Sequence, residues 1–266
     1  MPAKIDLYNP SYGHSAEQTY REIRLETYGD DFGQTSFATV EEFAALPQLL
    51  ALDPASTALE IGCGAGGCAL LFARKAGCRV VGTDVNAEGI RAANESARSA
   101  GLDGRVTFRL LNAGESLPFE AESFDAIYSN DAMCHLPGRL AVLREFHRVL
   151  KPGGLLAFSD ALVLTGAVSN EELAIRSSIG FYLFTPRGEN ERLLAAVGFQ
   201  LVRVDDTTEN AAVLARRWHD ARAARKSALV AFESEPNFLG LQRFLACGHT
   251  LTSEKRLSRY LYVARK

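Results

Sequence analysis

Apolar residues alternate with turn residues through the middle of the chain in a repeating strand and helix pattern. Residues 57–62 form a short apolar run that leads into a glycine-rich turn, which predicts a buried strand, and residues 67–75 have helical spacing. The same pattern predicts strands at 79–83, 106–111, 124–129 and 155–159, and helices at 16–26, 40–50, 87–100 and 139–150. Strands that alternate with helices favour an α/β fold with a doubly wound, mostly parallel sheet.

The pattern changes beyond residue 160, where the central part (57–160) ends. Residues 192–196 then predict a short helix, 198–204 predict a sixth strand, and 210–233 form a long helical stretch. The segment from 259 to 265 alternates between apolar and polar residues, which predicts a seventh strand beside the sixth.

Two segments lack a clear pattern. The N-terminal segment, 1–50, is polar and only partly helical, and 161–188 carry mixed signals. Both are placed to cover the carboxyl ends of the strands, where ligands bind in sheets of this kind. We therefore expect both segments to form lids over a ligand. The alternative is that they are loops that extend into solvent. The whole chain, 1–266, is then a single domain in which residues 189–266 complete the sheet.

The composition narrows the class of protein without pointing to a partner. The 266 residues carry a net charge of −3 and are 47% hydrophobic, which offers no basic surface for nucleic acid. No apolar run reaches the roughly 18 residues of a membrane span, and the N-terminus lacks the apolar core of a signal peptide. The five cysteines are odd in number and lack CxxC spacing, so we expect free thiols, no metal site and a cytoplasmic protein.

A glycine turn after the first predicted strand is the main candidate binding site. Gly62, Gly64 and Gly67 satisfy the GxGxxG fingerprint of dinucleotide-binding enzymes, so the glycines alone leave the ligand open. Glu60 lies two residues before the first glycine, where a carboxylate suits a cationic amine rather than a pyrophosphate. Asp84 ends the second strand, where a carboxylate can accept hydrogen bonds from both ribose hydroxyls. A ligand with an ammonium group and a ribose, such as S-adenosylmethionine, fits both positions.

Four motifs within residues 57–160 make the chain resemble a class I S-adenosylmethionine-dependent methyltransferase. In chain order they are Leu-Glu-Ile-Gly-Cys-Gly-Ala-Gly-Gly, Val-Gly-Thr-Asp-Val-Asn, Phe-Asp-Ala-Ile-Tyr-Ser and Leu-Lys-Pro-Gly-Gly. The resemblance implies S-adenosylmethionine as cofactor and a Rossmann-like sheet of seven strands whose last strand is antiparallel. The residues that match the family's cofactor site are Glu60, Gly62, Cys63 and Gly64 for the methionine end, Asp84 for the ribose, and Val85, Asn112 and Ala113 for the adenine.

Further residues are candidates for the same cofactor. Asn112 stands where the family more usually has an aspartate, although its carbonyl oxygen can still accept a hydrogen bond from an adenine amino group. Tyr20 is a candidate for contact with the cofactor's carboxylate. Asn130, which directly follows the fourth strand, is a further candidate cofactor-binding residue. The segment that closes over the methionine end in related enzymes matches Gln34, Thr35 and Ser36.

The segment after the fourth strand holds the candidate catalytic groups. Asp131 lies four residues before His135, which predicts an oriented acid–base pair, and local capping or packing of the histidine is the alternative. The segment is similar to that of small-amine methyltransferases of the phosphoethanolamine and sarcosine/dimethylglycine type. This similarity implies that Asp131 helps hold the acceptor and that His135 pairs with an N-terminal tyrosine. We predict Tyr12 for that role, with Tyr8 and Tyr20 as alternatives.

The sequence thus predicts methyl transfer to a small-molecule acceptor, with N-methylation of a small amine by in-line displacement as the leading hypothesis. O- or C-methylation of a natural product or isoprenoid, a cofactor-binding module without turnover and a nicotinamide dehydrogenase are the alternatives. A phosphate-bearing acceptor would need basic residues, and those available are expected on solvated faces: Arg176, Arg187, Lys255 and Arg256. A homodimer is left open.

Overall fold

A twisted sheet runs through the centre of the computed structural model, which describes residues 5–266. Its strands are β1 (Thr57–Ile61), β2 (Arg79–Asp84), β3 (Val106–Leu110), β4 (Phe124–Ser129), β5 (Leu150–Leu164), β6 (Thr185–Pro186), β7 (Gln200–Asp206) and β8 (Leu257–Arg265). The order is β3-β2-β1-β4-β5-β8-β7, and the two-residue β6 pairs with β5 off this path. Strands β1 to β5 pair in parallel, whereas β8 is antiparallel to both β5 and β7. The predicted α/β sheet with an antiparallel last strand is confirmed.

Helices cover both faces of the sheet. They are α1 (Tyr8–Gly13), α2 (Gln18–Tyr28), α3 (Val40–Leu49), α4 (Gly67–Ala76), α5 (Ala87–Ser99), α6 (Arg139–Val149), α7 (Asn170–Arg176), α8 (Glu189–Val197), α9 (Thr208–Ala223), α10 (Lys226–Glu233) and α11 (Glu235–Ser253). None of the helices formed by residues 5–266 combines the length and the apolar character needed to cross a membrane.

Alternation along the central strands explains why both faces are covered. Ala58 of β1 lies in a buried apolar cluster with Phe72 of α4, whereas its neighbour Leu59 lies in a second cluster with Phe146 of α6. Successive side chains of a strand point to opposite faces, so a strand that is apolar throughout needs a layer of helices on each side. This layering leaves the carboxyl ends of β1, β2 and β4 at one edge of the sheet.

The segments outside the central part contain more regular structure than the sequence pattern predicts. Strand β5 extends at both ends beyond the expected 155–159, because β4 and β8 both offer it hydrogen-bonding partners. The segment 161–188 contains α7, which begins with a capping box formed by Ser169 and Glu172. Residues 1–4 of the N-terminal segment lie outside the described residues, and α1 follows shortly after them. The role of both segments as lids stays a proposal.

Candidate active site

The glycine turn between β1 and α4 has the open backbone that the sequence predicts. Gly62, Gly64 and Gly66 all have positive φ, at 74°, 51° and 82°. A Cβ atom at position 62 would collide with the side chain of Ala132, and one at position 64 would collide with Tyr12. The turn therefore requires glycine, and its backbone can approach a ligand closely.

Glu60 lies beneath this turn in a small cavity of about 40 Å³. Its side chain is buried, and one carboxylate oxygen has no hydrogen-bond partner among residues 5–266. Burial is the main reason that the pKa of Glu60 is raised to about 8. An unpartnered buried acceptor of this kind suits a cationic amine, so the residues here fit the ammonium group of S-adenosylmethionine. Several residues that the sequence predicts to bind the cofactor line this cavity: Gln34, Thr35, Ser36, Gly62, Cys63, Gly64 and Asn130.

A larger cavity of about 290 Å³ lies alongside, over the ends of β2 and β3. Asp84 lines it and is held by two backbone amides, since its carboxylate accepts hydrogen bonds from Gly64 N and Asn86 N, both at 2.8 Å. Burial raises the pKa of Asp84. Val85 and Ala113 also line this cavity, as expected for residues beside an adenine. Asn112 does not line it, because its side chain bonds Gly114 N and Glu115 instead, and its contact with adenine stays a prediction.

His135 lies at the other end of the larger cavity. Its Nε2 is 2.7 Å from the Tyr8 hydroxyl and its Nδ1 is 3.0 Å from the carbonyl oxygen of Phe181. A carbonyl oxygen only accepts, so Nδ1–H donates to Phe181 and Nε2 accepts from Tyr8. The ring also packs on Tyr182, with centroids 4.6 Å apart. Burial lowers the pKa of His135, which favours the neutral imidazole, whose basic nitrogen is the Nε2 that accepts from Tyr8.

Neither of the two contacts predicted for His135, with Tyr12 and with Asp131, is present in the structure. Tyr8, the alternative, is the tyrosine on His135, because α1 places Tyr12 one turn further on, against the Gly64 turn. Asp131 has φ 53°, and its carboxylate accepts hydrogen bonds from Arg259, Ser159 and the Phe37 amide rather than from the histidine.

The structure separates Tyr20 from the other two residues predicted for the site, Tyr12 and Asp131. Tyr12 and Asp131 do line the larger cavity, together with Asn130. Tyr20 lines neither cavity and lies in an apolar cluster with Ile23 and Trp218. The structure thus brings Tyr20 into no contact with the cofactor site, and its predicted role receives no support from the geometry.

The basic residues considered for a phosphate-bearing acceptor are used elsewhere. Arg176 is buried with its guanidinium 4.0 Å from the Phe244 ring centroid and is not among the cavity-lining residues. Arg256 pairs with Glu172 at 2.7 Å, Lys255 lies 3.7 Å from Glu209, and Arg187 is exposed. Within residues 5–266, no lysine or arginine lines either cavity.

Comparisons with known proteins agree with this geometry. Residues 59–158 match the family model of a methyltransferase domain. Methyltransferase GfsG of Streptomyces halstedii is 36% identical over 157 residues, which cover 57% of this chain and 55% of the relative. The 27-O-demethylrifamycin SV methyltransferase of Amycolatopsis mediterranei (strain S699) is 32% identical over 176 residues, with coverages of 66% and 64%. The chain therefore spans less than two thirds of the length of these curated relatives.

Solved structures share the fold at lower identity. Phosphoethanolamine N-methyltransferase 2 of Haemonchus contortus, solved with S-adenosylhomocysteine, superposes with a TM-score of 0.79 at 22% identity. The match covers 98% of this chain and 61% of that one. Residues 59–158 therefore match a methyltransferase domain, and the residues that line the two neighbouring cavities, with Glu60 in the smaller and Asp84 in the larger, fit S-adenosylmethionine as its cofactor.

Proposed function

We propose that the protein methylates a hydroxyl group of an uncharged small molecule, with Tyr8 and His135 removing the proton. One observation carries the choice of acceptor, namely that the described residues at the acceptor end of the cavity present no free charge. Among the described lining residues, the carboxylate at this end is Asp131, which is already paired with Arg259 at 2.8 Å. The other residues at this end are uncharged or apolar and include Ala132, Leu136, Ile179 and Gly180.

The chemistry follows from the order of the groups along the cavity. S-adenosylmethionine, when bound, supplies a methyl group on a positively charged sulfur, so the protein has to align an acceptor and take up its proton. The Tyr8–His135 pair would take up the hydroxyl proton in one concerted relay, in which Tyr8 accepts the acceptor's proton as it passes its own proton to His135 Nε2 across the 2.7 Å hydrogen bond. The acceptor oxygen would then carry the methyl group that the bound cofactor supplies, and the electron pair of the broken bond would remain on sulfur. The products are a methyl ether and neutral S-adenosylhomocysteine.

N-methylation of an amine is the second candidate. Tyr8 and Tyr12 both line the cavity with ring centroids 5.8 Å apart, and aromatic faces attract ammonium groups. The sequence resemblance to small-amine enzymes favours the same reaction. A phosphorylated or carboxylated amine gains less support, because no lysine or arginine within residues 5–266 lines the cavity.

A panel of acceptors tests the proposal. The protein would be incubated with S-adenosylmethionine and uncharged phenols and alcohols, free amines and phosphorylated amines, and S-adenosylhomocysteine would be quantified by mass spectrometry. We expect release with the hydroxyl compounds above the acceptor-free rate. Release with amines alone would support the second candidate instead. Tight cofactor binding without release on any acceptor would identify a module without turnover.

The pH dependence of turnover gives a direct check on His135. The neutral imidazole is the active form, and burial lowers its pKa below the ordinary 6.5. We therefore expect kcat/KM for the acceptor, measured at saturating S-adenosylmethionine, to be flat around neutral pH and to fall only on an acidic limb whose midpoint lies below pH 6.5. Initial rates across a pH series at fixed ionic strength measure this limb. A midpoint above 6.5 would contradict the assignment.

Removing the Asp84 carboxylate tests the ribose site. We expect Asp84→Ala to weaken S-adenosylhomocysteine binding by about 1–3 kcal/mol, the scale of lost hydrogen bonds to a charged group. Isothermal titration calorimetry measures the change. The exposed Asp103, just before β3, offers a matched control, and Asp103→Ala should leave the dissociation constant unchanged. An unchanged constant for Asp84→Ala would mean that the ribose lies elsewhere.

A further inference from the structure

Arg259 is a buried charge near the start of β8, far in sequence from the residues of the cofactor site. Its side chain is 1% exposed. Most of its neighbours in the strand are apolar or aromatic, with Tyr260, Tyr262 and Val263 packed in the core. Burying a guanidinium is unfavourable unless every part of it is paired, so its partners indicate why it is there.

The partners of Arg259 come from separate parts of the chain. Its Nε donates to Asp131 Oδ1 at 2.8 Å and its Nη2 donates to Asn130 Oδ1 at 3.0 Å, both in the segment after β4. Its Nη1 donates to Glu42 Oε2 at 2.5 Å on α3, and to Thr207 Oγ1 at 2.8 Å. One planar guanidinium thus joins the N-terminal segment, the segment after β4 and the C-terminal strand.

The segments that Arg259 joins are the walls of the active site. Asn130 and Asp131 line the larger cavity directly. The second carboxylate oxygen of Asp131 accepts from the Phe37 amide at 2.8 Å, and Phe37 follows Thr35, which lines both cavities. The covering segment 33–42 is therefore held at two points, by Asp131 at Phe37 in its middle and by Arg259 at Glu42 at its end.

We propose that Arg259 is a positioning residue that holds the cofactor-covering segment 33–42 and the Asn130–Asp131 wall in register. It touches neither cofactor nor acceptor and acts through Asp131, Asn130 and Glu42. Cofactor release requires the covering segment to move, because Gln34, Thr35 and Ser36 lie over Glu60 in the smaller cavity. The strength of the Arg259 contacts then sets how fast S-adenosylhomocysteine leaves. This inference deepens the proposed function, but it depends only on the cofactor site and not on the acceptor.

The dissociation rate of S-adenosylhomocysteine from the full-length protein, without any acceptor, tests the inference. Glu42→Gln removes one ion pair and leaves the Arg259–Asp131 contact in place. We expect it to speed dissociation by about tenfold or more, the effect of losing one charge-assisted hydrogen bond. Arg259→Gln should speed dissociation more than Glu42→Gln does. The dissociation rate of Arg259→Lys should lie between the rates of these two variants, because lysine keeps the charge and loses the planar fork. Stopped-flow displacement measures the rates.

Matched controls and a second readout separate positioning from general destabilisation. Glu95→Gln, on the exposed face of α5, and Arg265→Gln, at the exposed end of β8, should leave the rate unchanged. Hydrogen exchange of the Phe37 amide should accelerate in Glu42→Gln while amides of the β1–β4 core stay protected. Wild-type dissociation rates in folded Glu42→Gln and Arg259→Lys would overturn the inference. Failure of every acceptor in the turnover panel would not overturn it, since the dissociation experiment contains no acceptor.

Discussion

His135→Gln should lower kcat/KM for methyl transfer by about a hundred- to ten-thousandfold, the range for loss of a positioned general base. Glutamine can keep a hydrogen bond to the Phe181 carbonyl through its amide group, but its side chain cannot take up a proton at pH 7. Tyr8 then has no partner that accepts its proton, although the cavity keeps nearly the same shape. Steady-state release of S-adenosylhomocysteine on the best acceptor of the panel measures the loss.

The affinity for S-adenosylhomocysteine should stay at the wild-type value in His135→Gln, because His135 lies at the end of the larger cavity away from Glu60. His147→Gln supplies a control, since His147 lies on α6 and lines neither cavity. We also expect Tyr8→Phe to lower turnover, because it removes the hydroxyl that bonds Nε2 at 2.7 Å. Wild-type turnover in His135→Gln would make the histidine a packing residue and remove the proton path.

Glu60→Gln should weaken S-adenosylhomocysteine binding by about 2–5 kcal/mol, the cost of removing one partner from a buried charge pair. The glutamine amide fills the same space beneath the glycine turn, so the loss reports the charge rather than the volume. Isothermal titration calorimetry measures it. An affinity change as small as that of the exposed control Glu88→Gln would contradict the placement of the ammonium group beside Glu60.

Glu60 should also couple cofactor binding to proton release. The pKa of Glu60 is raised to about 8 by burial, so its carboxyl group is mostly protonated at neutral pH before the ligand binds. Pairing with an ammonium group favours the carboxylate, so binding should expel a proton, and affinity should rise as the pH rises toward about 8. Calorimetry at pH 7 in buffers with different ionisation enthalpies measures the released proton. Glu60→Gln should release none.

The sequence pattern predicts the central part of the fold well, because each strand and turn there is encoded locally. Glu60, Gly64 and Asp84 lie within or directly after strands whose apolar pattern is clear, and parallel strands bring their carboxyl ends together. Helix α11 was not predicted, since Pro236, Gly240 and Gly248 weaken its helical signal. Its stability comes from packing against other elements, of which Phe244 in an apolar cluster is one part.

The acceptor end was harder to predict because its contacts join distant parts of the chain. Tyr8 and His135 are 127 positions apart, and nothing in the spacing separates Tyr8 from Tyr12, one helical turn away. The Phe181 carbonyl fixes the histidine tautomer from a segment without a clear pattern. Arg259 left one signal that sequence reasoning missed, namely a charge among mainly apolar residues near the start of the strand, whereas the other charge of that strand, Arg265, lies at its exposed end. Such a charge needs buried partners, and here they lie in the active site.

A competition between two acceptors of the same carbon skeleton, one with a hydroxyl and one with an amine, tests the central claim most directly. The protein would receive both at equal concentration with S-adenosylmethionine labelled with ¹³C in the methyl group, and NMR would locate the label. The uncharged cavity end around His135 predicts that the label appears mainly on oxygen and that His135→Gln lowers the rate of labelling by about a hundredfold or more. Label on nitrogen alone, with the alcohol untouched, would contradict the account.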